Sequence, residues 1–411
     1  MSALPLSDVR VLDLTRLLPG GFCSLLLADL GAEVLKVEDT GMGDYIRWAP
    51  PYYGSDEQQA LGTRSSLYLS LNRGKRSVRL DLKNEKGREA LLRLVADHDI
   101  VLDGFRPGVL DKLGVGYERM REANPRVVYC AITGYGQDGP YAQRAGHDMN
   151  YLGLVGLLGL TGAKDGPPVQ SAGQIADLGG GGLMAAFGVM AALHERERSG
   201  EGQMVDVSMA DGALSWLAMV AGRYFCDGEV PRRGEQMLAG GIVCYLPYEA
   251  ADGWVTCGAL EPKFWAAFCD GVNRPDLIEK QFEAPGSEDW QEVAAIFRSR
   301  TREEWKAFND ERDCCIEPVL DLDEALDSEL VRSREMVVEL EQPELGTVRQ
   351  LGQPVKLSRT PADPTRPAPA FGEHTDEVLA EVGYSPEEIA AMKEEGAAAG
   401  PAAAPQGEFR A

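Results

Sequence analysis

The sequence predicts an α/β protein in which a smaller α+β domain is inserted into a Rossmann-like large domain. Strand-like apolar runs alternate with helical periodicity up to residue 132. From about residue 213 the pattern changes to short aromatic-rich strands mixed with short helices. A chain of 411 residues is also longer than one hydrophobic core usually supports. We therefore expect two domains.

The first elements predict a β-α-β unit. Helical periodicity over residues 22–30 follows a break at Pro19-Gly20-Gly21, and Gly31 suits the position just after a helix. A second helix is expected over residues 85–97. The strands are predicted at residues 9–14, 34–37, 99–102 and 126–132. Strands that alternate with helices in this way predict a parallel, doubly wound sheet.

The domain boundaries follow from composition. We predict that the large domain comprises residues 1–212 and, after a small domain over residues 213–326, a return segment at 327–393. The proline-rich stretch 361–369 within that segment predicts an extended linker. After it, Ser385-Pro386 predicts the N-cap and first residue of a short helix. Residues 394–411, rich in alanine, glycine and proline, are expected to be a disordered tail.

Charge and composition exclude several function classes. With 65 acidic and 41 basic residues, the net charge of −24 argues against nucleic acid or an anionic membrane as the main partner. The longest apolar stretch, residues 178–193, is short and glycine-rich for a membrane span, and no targeting signal is visible. The eight cysteines form no C-x-x-C pair, so no metal site is expected. A soluble cytoplasmic protein is predicted.

Three polar stretches stand out as candidates for chemistry. His147, in Gly146-His147-Asp148-Met149-Asn150-Tyr151, is one of four histidines and has the titration range of a general base. The alternative is that it is only a loop residue bonded to backbone. Asp177 precedes a run of four glycines, and Glu261 follows a strand-like segment. Both carboxylates sit where a helix N-cap is expected, and capping alone would account for them.

The Asp177 position is nevertheless compatible with chemistry. A carboxylate at a helix start is kept ionised by the helix dipole, and such a carboxylate can act as a base or a nucleophile. The glycine run after Asp177 would let a ligand approach the backbone closely.

These residues carry a family resemblance. Ala145-Gly146-His147-Asp148-Met149-Asn150-Tyr151 resembles the AGHDINY motif, and Leu260-Glu261-Pro262 the IEP motif, of α-methylacyl-CoA racemases. Further matches to the class III CoA-transferase superfamily run nearly end to end, for example Gly104-Phe105-Arg106-Pro107-Gly108-Val109. The resemblance implies an interlaced homodimer that binds acyl-CoA, with no cofactor beyond the CoA moiety of the substrate.

Carried over residue by residue, the resemblance makes His147 and Asp177 the acid/base residues on opposite faces of the substrate α-carbon. It gives Glu261 a supporting role across the dimer interface, hydrogen-bonded to His147. Backbone N–H groups at a helix start would meet the developing enolate oxygen. We expect racemisation of 2-methylacyl-CoA thioesters, as in fatty acid metabolism.

The CoA contacts are predicted on the same basis. The segment Asn72 to Lys83 contains five basic residues among twelve, a local positive patch on an acidic chain. With Arg106 it offers candidates for the CoA phosphates. The predicted CoA-binding residues are Arg73, Lys75, Arg76, Lys83, Arg106, Gly146, Asp148 and Tyr151.

Two other functions stay open. In a class III CoA transferase, Asp177 would attack the thioester and later carry CoA as an aspartyl thioester. A non-catalytic CoA-binding protein would leave the three polar stretches unexplained. One departure bears on the substrate: racemases typically read NMLDGG, where this chain has Gln236-Met237-Leu238-Ala239-Gly240-Gly241, so Ala239 replaces a carboxylate.

Overall fold

The computed structural model describes residues 4–54 and 64–401, and its strands and α-helices alternate over much of the chain. The strands are β1 (Arg10–Asp13), β2 (Glu33–Glu38), β3 (Lys75–Leu80), β4 (Ile100–Asp103), β5 (Val128–Thr133), β6 (Met204–Ser208), β7 (Tyr245–Ala250), β8 (Gly253–Gly258), β9 (Ile316–Pro318), β10 (Val337–Gln342), β11 (Gly346–Leu351) and β12 (Ala398–Ala399).

The α-helices are numbered in the order in which they occur along the chain. They are α1 (Leu18–Asp29), α2 (Ser66–Asn72), α3 (Glu85–Ala96), α4 (Val109–Lys112), α5 (Tyr117–Ala123), α6 (Asp148–Leu154), α7 (Leu157–Leu160), α8 (Met184–Ser199), α9 (Met209–Ser215), α10 (Ala218–Asp227), α11 (Pro262–Gly271), α12 (Glu288–Arg298), α13 (Arg302–Arg312), α14 (Leu322–Leu326), α15 (Glu329–Ser333), α16 (Thr375–Glu381) and α17 (Pro386–Glu394). A π-helical segment, Ile175–Leu183, leads directly into α8.

A seven-stranded sheet forms the centre of the first compact unit. Its strand order is β12-β3-β2-β1-β4-β5-β6, and all pairs are parallel except the antiparallel pair β12–β3. Strand order reverses between β1 and β4, where Val11 is in register with both Val34 and Ile100. In doubly wound sheets, ligands bind at the carboxyl ends of the strands beside such a reversal. The predicted parallel α/β sheet is confirmed.

The second compact unit consists of Gly156–Ser171 and Trp216–Glu329. Its strands β7, β8 and β9 form an antiparallel sheet, packed by buried rings such as the stacked pair Phe268 and Phe297. The sequence prediction assigned residues 156–171 to the large domain. The structure differs because the Arg233 guanidinium donates to the carbonyls of Gly159, Ala163 and Gly166, which ties this segment to residues of the second unit.

Two local predictions differ from the structure, and a third is confirmed. Helix α1 begins at Leu18, so Pro19 lies in its first turn, where a proline is tolerated. The segment Pro19-Gly20-Gly21 is therefore part of the helix and not a break before it. The tail is not disordered from residue 394: α17 ends at Glu394, and β12 pairs with β3 through Ala398 and Leu80. Residues 402–411 of the predicted tail lie outside the described residues. The Ser385 N-cap of α17 is confirmed.

The helical run Ile175–Ser199 is longer than the sequence suggested. Its 25 residues are long and apolar enough to cross a membrane by length and composition alone. Core helices of globular proteins can pass the same test. Ala185, Val189 and Ala192 on α8 are buried in the core beside the sheet. This packing favours a core helix.

Candidate active site

A cleft of about 320 Å³ opens in the first unit near the reversal of strand order. The turn after β1 supplies Thr15 to Leu17, and the turn after β4 supplies Gly104 to Pro107. The same cleft is lined by His147 and Asp177, two of the three predicted catalytic residues. Residues far apart in the sequence therefore converge at the place where this sheet topology favours a ligand.

The turn after β1 is held by a buried ionic network. Asp13 accepts a hydrogen bond from the Thr15 backbone N–H at 3.0 Å, and Lys36 donates to the Thr15 carbonyl at 3.0 Å. Burial raises the pKa of Asp13, but Lys36 and Lys75, with the hydrogen bonds from Ser24 and Thr15, together lower that pKa to about 2. Asp44 belongs to the same network, because its Oδ2 lies 2.8 Å from the Lys36 ammonium.

Asp44 also fixes a strained residue of the cleft. Leu17 has φ of 63°, a conformation that costs a leucine on the order of 1–3 kcal/mol. The Leu17 N–H donates to Asp44 Oδ1 at 3.0 Å. This network therefore keeps the cleft wall in a shape that the local sequence alone does not favour.

His147 is the N-cap residue of α6, and its side chain is exposed. Its N–H donates to the Asn150 side-chain oxygen at 3.0 Å, so the cap is made by backbone atoms and Asn150. The Tyr151 hydroxyl donates to the Gly146 carbonyl at 2.6 Å. A Cβ at Gly146 would lie 2.7 Å from the Tyr151 ring, so glycine is required for packing. The motif thus holds His147 at the cleft edge.

Asp148 has a different role from the one predicted. It is buried, and its Oδ1 accepts hydrogen bonds from the backbone N–H groups of Ala176 and Asp177, at 2.7 and 3.1 Å. A buried carboxylate that accepts two backbone N–H groups is a cap. We therefore assign Asp148 to positioning the π-helical segment and not to direct CoA contact.

Asp177 is not the N-cap that the sequence suggested. Gln174 is the cap residue, and Asp177 lies within the first turn of the π-helical segment, where π-helical turns often mark functional sites. The N–H groups of Ala176 and Asp177 bond to Asp148, and that of Leu178 bonds to the Gln174 carbonyl. These three N–H groups are therefore already hydrogen-bonded and are not free to meet an enolate oxygen.

The pKa of the Asp177 carboxyl is raised towards neutral pH. Burial first, and then the charge of Asp148, raise its pKa to about 6, whereas His147 lowers it. Both side chains line the same cleft. A carboxylate with a raised pKa is a stronger base than an ordinary aspartate and is still mostly ionised at pH 7.

The glycine run after Asp177 has a packing role. A Cβ at Gly180 would lie 2.7 Å from the Met209 carbonyl oxygen, and one at Gly182 would lie 2.6 Å from the Pro19 carbonyl oxygen. These glycines let the π-helical segment approach α9 and α1 closely. The prediction that the glycines admit a ligand is not needed to explain them.

Most of the predicted phosphate-binding patch is used internally. Arg73 is buried and paired with Asp29 at 2.7 Å, and Lys75 is buried among Asp13 and Asn72. Burial lowers the pKa of Lys75 to about 8. Arg76 bonds to Glu33 and Glu381. This pairing conflicts with a phosphate role, because buried charges need these partners.

Two arginines that the sequence did not lead us to predict also line the cleft. Arg16 and Arg144 lie there with the predicted Arg106, whereas the exposed Lys83 does not line it. Arg16 stacks over Tyr45 and Phe105 and pairs with Asp39 at 2.6 Å. Its position three residues after β1, at the carboxyl edge of the sheet, was the available signal. The basic groups of the cleft come from three separate turns.

Glu261 belongs to the second unit. It is the N-cap residue of α11, and its side chain makes no capping hydrogen bond there. Its charge contributes, after burial and Asp313, to raising the pKa of the Cys315 thiol. The Gly258 N–H donates to the Cys315 carbonyl at 2.8 Å, so the end of β8, three residues before Glu261, lies against Cys315 in that unit.

Known proteins share this architecture and sequence. The family model described as CoA-transferase family III matches residues 6–375. The chain is 38% identical to an alpha-methylacyl-CoA racemase of Mus musculus, covering 93% of this chain and 95% of the relative. It is 37% identical to a succinyl-CoA:mesaconate CoA-transferase of Haloarcula hispanica, covering 92% and 96%.

A solved structure has the same fold. The crystal structure of a CAIB/BAIF family protein from Brucella suis superimposes with a TM-score of 0.80 at 29% identity, covering 93% of this chain and all of that one. The chain belongs to CoA-transferase family III.

Proposed function

We propose that this chain racemises 2-methylacyl-CoA thioesters by removing the α-proton and returning a proton to the opposite face, as a cytoplasmic enzyme of fatty acid metabolism. The observation that carries the proposal is that His147 and Asp177 line one cleft. Two titratable groups of different type at one site can serve as base and acid.

The proposed step uses both groups without any cofactor. The Asp177 carboxylate, with a pKa near 6, takes the α-proton from one enantiomer, and the electrons of the C–H bond move into an enolate. Protonated His147 then gives its proton to the other face of the α-carbon. In the reverse direction, neutral His147 is the base and protonated Asp177 is the acid.

The cleft supports an anionic ligand. Arg16, Arg106 and Arg144 line it, on a chain whose net charge is −24. Guanidinium groups bind phosphate oxygens in pairs of hydrogen bonds, so we propose that Arg106 and Arg144 contact the CoA phosphates, whereas Arg16 is already paired with Asp39. Tyr151 and Gly146 shape the wall of that cleft.

We also propose a homodimer, in which Glu261 of one subunit supports His147 of the other. Large apolar side chains are exposed on both units: Phe187 is 72% exposed in the first and Phe225 is 80% exposed in the second. Exposed apolar patches of this kind mark protein interfaces. Sedimentation equilibrium would test the proposed homodimer, and a monomer at micromolar concentration would contradict it.

A CoA transferase is the second candidate, favoured by the transferases among the relatives and by the raised pKa of Asp177. Asp177 would attack the thioester carbonyl, and the C–S bond would break to release CoA thiolate and leave an acyl-aspartyl anhydride. The thiolate would attack the aspartyl carbonyl and release the donor carboxylate. An acceptor carboxylate would then take the place of Asp177 on CoA through a second anhydride.

The experiment that separates them is incubation of an enantiopure 2-methylacyl-CoA in deuterated water without any acceptor acid, followed by NMR. Racemisation gives α-deuterium with loss of stereochemical purity. His147→Asn and Asp177→Asn should each reduce this rate by about 10²–10⁴-fold, the usual contribution of a general acid or base. The exposed His194 on α8 supplies a matched control, and His194→Asn should keep the full rate.

The outcome for a transferase is different. If the protein is a transferase, the wild type would show no α-deuterium and would require an added carboxylic acid. Asp177→Asn would then lose turnover, whereas His147→Asn would keep it. That result would replace racemisation with CoA transfer. Hydroxylamine trapping of an activated Asp177 would then identify the anhydride or thioester intermediate.

A further inference from the structure

A buried tyrosine–aspartate pair lies beside the cleft and is not used by the chemistry proposed above. Asp103 is the last residue of β4, and its side chain is buried. Tyr129 on the neighbouring strand β5 is also buried, and its hydroxyl donates to Asp103 Oδ2 at 2.5 Å. Val101 is in register with Tyr129, so Asp103, two residues later, lies on the same face of the sheet. The cleft lining starts at the next residue, Gly104.

The second oxygen of Asp103 holds the turn that follows β4. Asp103 Oδ1 accepts a hydrogen bond from the Phe105 N–H at 2.8 Å. The residues from Gly104 to Pro107 in this turn all line the cleft. One carboxylate oxygen is therefore bonded to the neighbouring strand, and the other to the backbone of the cleft wall.

Both hydrogen bonds favour the ionised carboxylate. Burial and the charge of Asp111 raise the pKa of Asp103, to about 6, whereas the hydrogen bonds from Tyr129 and the Phe105 N–H act to lower it. Burial and the charge of Asp103 raise the pKa of the Tyr129 hydroxyl, so this group stays a donor. Hydrogen bonds to an ionised acceptor are roughly twice as strong as neutral ones. The pair is therefore suited to fixing the turn at neutral pH.

The turn is also fixed at its other end. The Gln143 side-chain amide donates to the Pro107 carbonyl at 3.0 Å, and the Val109 N–H donates to the Arg106 carbonyl at 3.1 Å. Arg106 is thus held between Asp103 and the first turn of α4, and it is exposed in the cleft. The direction of its guanidinium depends on a backbone that Asp103 fixes at the start.

This turn also contacts the opposite wall of the cleft. A Cβ at Gly104 would lie 3.2 Å from the Thr15 Cβ, and the Arg16 guanidinium lies 5.4 Å from the centre of the Phe105 ring. A displaced turn would therefore disturb groups from both turns that form the cleft.

We infer that Asp103, supported by Tyr129, is a positioning residue for CoA: it holds the turn that presents Arg106 to the phosphates and does not touch the ligand itself. This role rests on the proposed function only in taking CoA as the ligand. It applies equally to a racemase and to a transferase, because both must bind CoA.

Isothermal titration calorimetry of CoA with the full chain, at neutral pH and constant salt, tests this role. Asp103→Ala should raise the Kd of CoA about tenfold, the effect of losing a hydrogen bond to a charged group. Asp103→Asn keeps an oxygen for the Phe105 N–H and an amide that can bond to the Tyr129 hydroxyl. Its Kd should therefore stay within about threefold of wild type.

A double-mutant cycle shows whether Asp103 acts through Arg106. Arg106→Ala alone should also raise the Kd about tenfold. Asp103→Ala added to Arg106→Ala should raise the Kd by no more than about a further threefold, because the group that it positions is already gone. A full further tenfold rise would overturn the inference, and so would a wild-type Kd in Asp103→Ala.

Asp99 supplies a matched control at the amino end of the same strand. Its Oδ2 accepts a hydrogen bond from the Arg10 N–H at 2.8 Å. Asp99→Ala should lower Tm and leave the Kd of CoA at the wild-type value. A rise equal to that of Asp103→Ala would reduce both effects to general destabilisation and overturn the inference.

Tyr129→Phe keeps the test decisive if Asp103→Ala does not fold. It removes only the hydroxyl and should raise the Kd about threefold in the wild-type background and not in Arg106→Ala. A wild-type Kd in Tyr129→Phe would then overturn the inference.

The binding measurement needs no turnover, so the two proposals fail separately. A raised Kd in Asp103→Ala without α-proton exchange by the wild type would keep the positioning role and remove the racemase. Exchange by the wild type with an unchanged Kd in Asp103→Ala would keep the racemase and remove the positioning role.

Discussion

Asp148 accepts a hydrogen bond from the backbone N–H of Asp177 at 3.1 Å, while its charge helps to raise the pKa of the Asp177 carboxyl to about 6. One buried residue thus positions the proposed base and tunes it. Neighbours in a recognised motif therefore have distinct roles: His147 faces the cleft, and Asp148 holds the segment that carries the second catalytic group.

The first prediction separates the two roles of Asp148. Asp148→Asn keeps an oxygen that can accept both N–H groups but removes the charge, so the pKa of Asp177 should fall. The acidic limb of the pH profile of kcat/KM should move to lower pH. Asp148→Ala loses the cap as well and should lower the free energy of unfolding by about 1–2 kcal/mol. An unchanged acidic limb in Asp148→Asn would contradict the tuning role.

The second prediction concerns stability at Asp177. Its pKa is raised from 3.8 to about 6 on folding, so its contribution favours the fold below pH 4 and is lost as pH rises through 6. At pH 8 the ionised carboxylate should cost the fold on the order of 3 kcal/mol. Asp177→Asn should therefore raise Tm at pH 8, by an amount that shrinks towards pH 4. Calorimetry at both pH values checks this, and a lower Tm at pH 8 would contradict it.

The third prediction contrasts a buried with an exposed arginine. Arg73→Ala leaves Asp29 buried without its partner and should lower the free energy of unfolding by about 3–5 kcal/mol. The KM for acyl-CoA of the folded fraction should stay near the wild-type value. Arg106→Ala, at an exposed cleft position, should raise KM and leave Tm unchanged. Denaturant titration and steady-state kinetics measure both, and the reverse pattern would restore Arg73 as a phosphate ligand.

The fourth prediction concerns the wall of the cleft. Asp44→Ala removes the acceptor for Leu17 and the partner of Lys36, and should lower the free energy of unfolding by about 3 kcal/mol and raise KM. Asp44→Asn keeps an acceptor for Leu17, so its KM should remain closer to wild type than that of the alanine variant. Equal KM in both variants would show that this hydrogen bond does not shape the cleft.

Much of the fold and part of the site follow from the sequence alone. Periodicity predicted the strands that became β1, β2, β4 and β5, because each strand of a parallel sheet is buried on both faces and reads as an apolar run. The capping pattern at Ser385 predicted the start of α17, since a cap is made by residues three apart. The polar stretches around His147 and Asp177 also identified residues that line the cleft.

Only the tertiary structure assigned the charged residues to their places. A basic run such as Arg73 to Lys83 has the same local appearance whether its side chains face a ligand or a buried carboxylate, and Asp29 and Asp13 come from elements far away in the sequence. The pKa of Asp177 and the contribution of Arg16 and Arg144 likewise depend on burial and on distant neighbours. Periodicity and capping are local in the chain, whereas burial, charge pairing and the shape of a cleft arise from contacts between distant segments.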